Sequence, residues 1–155
     1  MKENTQEDTD ILGYVTAGLI FIMFAILFVI IPNLIGEFSL FFFDLTFTQV
    51  TPLFWFWLPN SPHPVLYNAF FLLFLGVTII NLIVLVLRLI FRDTTHRVLE
   101  SFGGIIFAAG TTWAAYSLLN GYMIFSVFFG HLVLFGGVGL VISSLGFITV
   151  KSIEK

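Results

Sequence analysis

SFGGIIFAAGTTWAAYSLLNGYMIFSVFFGHLVLFGGVGLVISSLGFITV, residues 101–150, runs for fifty positions without one Asp, Glu, Lys or Arg. A bilayer core of about 30 Å is crossed by roughly 20 apolar helical residues. No water is present there to satisfy an irregular backbone, so such runs must be helical. The stretch holds two spans, with Asn120-Gly121 as the tight turn between them. We read it as a helical hairpin over 102–119 and 122–150. The first member carries Gly103, Gly104, Gly110, Thr111, Thr112 and Ser117, so its transfer into hydrocarbon is marginal and it leans on its neighbours. The second is long enough to tilt.

Outward from this stretch the same character continues. Residues 11–31 form an apolar run interrupted only by Tyr14 and Thr16 and ended by Pro32 and Gly36. Residues 65–90 form another, its apolar heart at 69–87 broken by Thr78 and Asn81, preceded by Pro59, Pro62 and Pro64. The chain is 59% hydrophobic and 10% charged, with a mean hydropathy of +1.07, against about 25% charged in a globular domain. The expectation is an all-α integral membrane protein, one polytopic domain over 11–150 with four transmembrane helices. Short tails, 1–10 and 151–155, flank it. The acidic N-terminal residues and the length of the first run argue for a retained span rather than a signal peptide.

Residues 38–58 complicate the count, because Phe and Trp dominate them. A fifth span is the alternative. Against it stand Asp44, Thr46, Thr48, Gln49, Thr51 and Pro52 near the middle, where an ionised Asp alone costs about 2.5–3.5 kcal/mol on insertion scales. Residues 43–48 also alternate apolar and polar, which predicts a strand-like or surface-lying segment. Aromatic clusters favour the headgroup level, so the segment is expected at the outer interface, with Phe54, Trp55, Phe56 and Trp57 dipping in.

Orientation follows from Lys and Arg in short loops. Arg88, Arg92 and Arg97 lie between the second and third spans, Lys151 and Lys155 follow the fourth, and Lys2 precedes the first. Four spans put all six on one side, which predicts a multi-pass cell-membrane protein with both termini in the cytoplasm. Arg88, Arg92, His96 and Glu100 recur at four-residue steps, as do Asp93 and Arg97. Three arginines against two acids fall short of a lipid-headgroup cluster, so their role is read as fixing topology.

Few residues inside the spans carry chemistry. His131 is a titratable group well inside a span and a default functional candidate. It lies ten residues past Gly121, or about 15 Å along an ideal helix, at a depth similar to Thr111 and Thr112. With Asn81 these residues form a candidate intramembrane polar site, although an imidazole bonded to a hydroxyl or a freed carbonyl needs no function. Gly104, Ala108 and Thr112, and likewise Gly139 and Ser143, repeat at four-residue spacing and should let helices approach closely. Glu37 and Asp44 read as solvated loop charges.

No cysteine is present, which excludes disulfides, thiolate metal sites and thiol chemistry. No phosphate-binding Gly loop, HExxH, GxSxG or CxxC occurs. No enzyme activity, cofactor or metal is expected, and no basic stripe suggests nucleic acid. Partners are expected among membrane lipids, a second copy of the chain or another membrane protein. The leading reading is a structural or accessory membrane protein. A transporter or channel subunit with a polar path near His131 is one alternative. A lipid- or quinone-binding protein roofed by the aromatic segment is another.

Overall fold

The computed structural model describes residues 10–153, with side chains to residue 145. Lys2 and the rest of residues 1–9, Lys155, and the Lys151 side chain fall outside the described residues. The elements are α1 (Ile11–Ile30), α2 (Leu34–Phe43), β1 (Leu45–Thr51), β2 (Phe54–Pro59), α3 (Pro64–Ile90), α4 (Thr95–Leu119) and α5 (Phe125–Ile153). Four of these helices, α1, α3, α4 and α5, are long and apolar enough to cross a membrane.

The helix ends follow from local chemistry. Asp10 caps α1, its carboxylate accepting from the Gly13 N–H at 2.9 Å. α3 begins on Pro64, whose missing N–H would be unpaired at that position anyway. α4 ends at Gly121, which takes a φ of 73°. There the Gly121 and Tyr122 N–H groups turn back to the Leu118 and Ser117 carbonyls, the paired bonds of a Schellman motif. α3 ends in the same motif, with the Arg92 N–H bonded to Leu89 O and the Asp93 N–H to Arg88 O. Here the left-handed position is filled by Arg92, at a φ of 53°. That break corrects the expected charge ladder, since Arg88 and Arg92 do not share a continuous helix with His96 and Glu100.

Consecutive long helices run antiparallel and pack in the order α1, α3, α4, α5. In the most apolar 18 residues of each long helix the buried share is 39% for α4, against 6% for α1 and for α3 and 11% for α5, so the weakest span in transfer terms is the one enclosed by protein. Small residues make this enclosure possible. α1 and α3 meet where the Met23 side chain fills the notch at Gly76.

The expectation of an all-α chain is corrected at residues 38–58. α2 reaches through Phe43, and a two-stranded antiparallel hairpin follows, pairing Leu45 with Pro59, Phe47 with Trp57 and Thr51 with Phe54. The alternating run that predicted a strand lies at the start of β1. A fifth helical span is absent among the described residues, because Thr46, Thr48 and Gln49 sit in a strand paired to β2. Alternation then divides the aromatic tetrad. Phe47 stacks on Trp55 at 5.6 Å and also meets Trp57, while Phe56 turns to Phe129 of α5, 5.0 Å between centroids.

Leu27, Ile31, Leu34, Phe41, Leu66 and Ala69 form a buried cluster where α2 crosses the ends of α1 and α3. Phe41 also meets Phe125, 5.3 Å between centroids. α2 thus ties the start of α5 to the opposite side of the row.

Candidate functional site

The span hydroxyls are bonded mostly to their own helices. Thr16, Thr78, Thr111, Thr112, Ser117 and Ser143 each donate to the carbonyl four residues back, at 2.6–3.0 Å. This satisfies a hydroxyl in an apolar medium without any partner helix. One pair reaches between helices, Thr78 Oγ1 and Thr112 Oγ1 at 3.2 Å.

The four residues of the candidate polar site do not converge. His131 Nδ1 lies 2.8 Å from Val127 O. A carbonyl only accepts, so Nδ1 carries the proton and donates it. The imidazole sits against Trp113 at 5.5 Å and Phe135 at 6.0 Å. Thr111 is fully buried and two positions from Trp113, which puts it on the opposite side of α4. Thr112 faces α3. Asn81 lies beside Gly104, where an added Cβ would meet its Oδ1 at 3.6 Å. Gly104 precedes Trp113 by nine residues, or roughly 14 Å of helix.

The small residues work on two faces rather than one. Gly104, Ala108 and Thr112 belong to the α4 face that meets α3. The approach to α5 is made by Gly103, where an added Cβ would strike Ser143 Oγ and the Gly139 carbonyl. Gly139 is hemmed reciprocally, with Gly103 O at 2.8 Å from its missing Cβ. Gly110 receives the Phe135 ring. Gly103, Phe107 and Gly110 also stand at helical spacing, a less regular series than that of Gly104, Ala108 and Thr112.

At the hairpin end, Asp44 is a hub rather than a solvated charge. Its Oδ2 accepts from the Ser61 N–H and the Ser61 hydroxyl, both at 2.8 Å, and from His63 Nε2 at 3.1 Å. Its own carbonyl accepts from the Asn60 backbone and side chain. The Ser61 N–H bond, with help from the Ser61 hydroxyl and His63, holds the Asp44 carboxyl at about 2, below its usual 3.8. His63 is 7% exposed and lies against Phe41, 5.3 Å between ring centroids. Ser61 bonds to the carboxylate and not to the imidazole, so this Asp, Ser and His set is not arranged as a nucleophilic triad. It fastens both ends of the hairpin to the start of α3.

At the other end Arg88 is 4% exposed. It donates to Asp10 at 2.8 Å and to Asp93 at 3.4 Å, while Arg97 donates to Asp93 at 3.2 Å. Burial pushes the Asp10 carboxyl up, but the Gly13 N–H and the Arg88 guanidinium outweigh it and hold the group below its usual range. The sequence reads Arg88 only as a topology-fixing charge between the second and third spans. Its link to Asp10, 78 positions away, has no signal in a single sequence. Asp93, Thr94, Arg92 and Arg97 line an open cleft here beside Asp10 and Ile11.

Among the apolar recesses that involve α5, one lies against α4 at Gly103, Phe107, Gly136 and Gly139, and two more lie away from α4. One, of about 300 Å³, lies between β2 and the start of α5 and is lined by Phe54, Phe56, Ser126, Phe129, Gly130 and Val133. Among the described residues the Ser126 hydroxyl has no hydrogen-bond partner. The other is a shallow furrow of about 420 Å³ on the outer face of α5, along Val133, Leu134, Gly137, Val138, Val141 and Ile142. Among the described residues no three His, Asp or Glu side chains converge as a metal-ligand set. The chain matches no family model, no curated protein and no solved structure.

Proposed function

We propose that this is a multi-pass cell-membrane protein of structural or accessory type, which works by packing against a second copy or another membrane protein through the outer face of α5. The observation that carries this reading is the furrow around Gly137. Among the described residues, a Cβ added at Gly130 or Gly137 would meet nothing within 4 Å, so neither glycine makes room for a described neighbour. Glycine is unfavourable in a helix interior by about 0.5–1 kcal/mol relative to alanine. Small residues on a span's open face are what close approach by another helix requires. Membrane lipids fill the remaining apolar surface. The reading assigns no catalytic step, cofactor or metal.

The transporter or channel alternative has less support, because the span hydroxyls turn to their own backbones and His131, Thr111, Thr112 and Asn81 are dispersed. The arginine positions favour an orientation with the Arg88 end and both termini in the cytoplasm.

The absence of cysteine makes both parts directly testable. Leu134→Cys, oxidised in native membranes, is expected to give a covalent dimer or a cross-link to a co-purifying membrane protein. A strictly monomeric product with no co-purifying protein overturns the reading. For orientation, an impermeant maleimide should label Tyr122→Cys on intact cells and Thr95→Cys only after permeabilisation. The reverse pattern inverts the topology.

A further inference from the structure

We infer that the recess between β2 and the start of α5 binds a planar, carbonyl-bearing ring on an apolar tail, the chemistry of a membrane quinone, with the Ser126 hydroxyl as its hydrogen-bond donor. Ser126 departs from the habit of its neighbours. Thr111, Thr112, Ser117 and Ser143 donate to the carbonyl one turn back, whereas Ser126 stands in the first turn of α5. The residue four before it, Tyr122, lies in the turn that closes α4, so no helical carbonyl is offered. A hydroxyl buried without a partner is costly; Ser126 is one of the residues around the recess, and a turn about its χ1 is what brings the enclosed hydroxyl to a guest there.

The walls select what completes it. Phe54 and Phe56 lie nearly parallel, 16° apart with centroids at 6.1 Å, and Phe129 meets Phe56 from α5. Flat aromatic walls favour a planar guest. Gly130 leaves its side of the cavity open, and about 300 Å³ is at the lower end for small-molecule sites. A carbonyl oxygen accepts the Ser126 proton and brings none that would itself need a partner. An apolar tail can leave past Val133 along α5.

The test is titration of the purified full chain in detergent with decylubiquinone, following quenching of tryptophan emission. Trp55 lies between Phe54 and Phe56 in β2, and a Trp113→Phe background removes the distant α4 signal. Saturable quenching is expected. Ser126→Ala should weaken it about three- to tenfold, the range of one neutral hydrogen bond, and Ser126→Thr should restore it. Gly130→Phe, which fills the recess, should abolish saturation. The Ser126 pair carries the test if Gly130→Phe fails to fold. Quenching that rises linearly without saturation, equal affinity in Ser126→Ala, or displacement of the quinone by a diacyl phosphatidylglycerol overturns the proposal.

Discussion

The Arg88 guanidinium donates to the Asp10 carboxylate across 2.8 Å, joining the end of α3 to the cap of α1. Arg88 is almost wholly buried and also holds Asp93, so its removal takes the guanidinium from Asp10 and leaves Asp93 to Arg97. Breaking a buried pair from one side costs about 3–5 kcal/mol. The partly exposed Asp10 side chain lowers this toward about 2 kcal/mol for Arg88→Gln. SDS titration of the purified chain measures it. Arg88→Lys should recover only part of the loss, because one ammonium cannot reproduce a fork spanning two acids.

The Asp44 hub predicts an acid-sensitive hairpin. Its folded-state pKa, about 2, is below the ordinary carboxylate value of 3.8. The contribution is therefore complete above about pH 4 and is lost as pH falls toward 2. Emission from Trp55 and Trp57 should change over that window. In Asp44→Asn the transition should be absent or much reduced; an unchanged acid transition would exclude Asp44 as its origin.

Adjacent glycines should respond in opposite ways. Gly103→Ala places a methyl against Ser143 and the Gly139 carbonyl, an overpacking cost of about 1–3 kcal/mol. Gly104→Ala meets Asn81 at ordinary van der Waals distance and gains helix propensity. It should be neutral or stabilising by up to about 1 kcal/mol. Unfolding midpoints of the two variants decide this.

Arg92 occupies a left-handed position that glycine fills in the matching motif at Gly121. Arg92→Gly should raise stability by roughly 0.5–1 kcal/mol, relief of the Cβ clash outweighing glycine's greater entropy loss. A destabilised Arg92→Gly would mean that the Arg92 side chain contributes more than its backbone costs.

The Schellman end at Gly121 could be read from Asn120-Gly121, because a turn signal is local. The same motif at Arg92 could not, since nothing in an arginine announces a positive φ. The alternation around residues 43–48 announced a strand, yet its partner came from β2. Pairing, rather than depth, then decided where the aromatic tetrad points. His131, Thr111 and Thr112 lay close in depth, but rotation about α4 separates them.

The sequence alone determined four helices of membrane-crossing length, because a run of about 20 apolar residues is a local property set by hydrocarbon thickness. It also determined the absence of thiol chemistry and the grouping of arginines between the second and third long helices. The tertiary structure decided which glycine meets which neighbour, that Arg88 is enclosed, that Asp44 fastens the hairpin and that Ser126 is left without a partner among the described residues. The reason is physical. Hydropathy is a sum over one segment, whereas close approach and hydrogen-bond satisfaction depend on rotation and register between segments far apart in the chain.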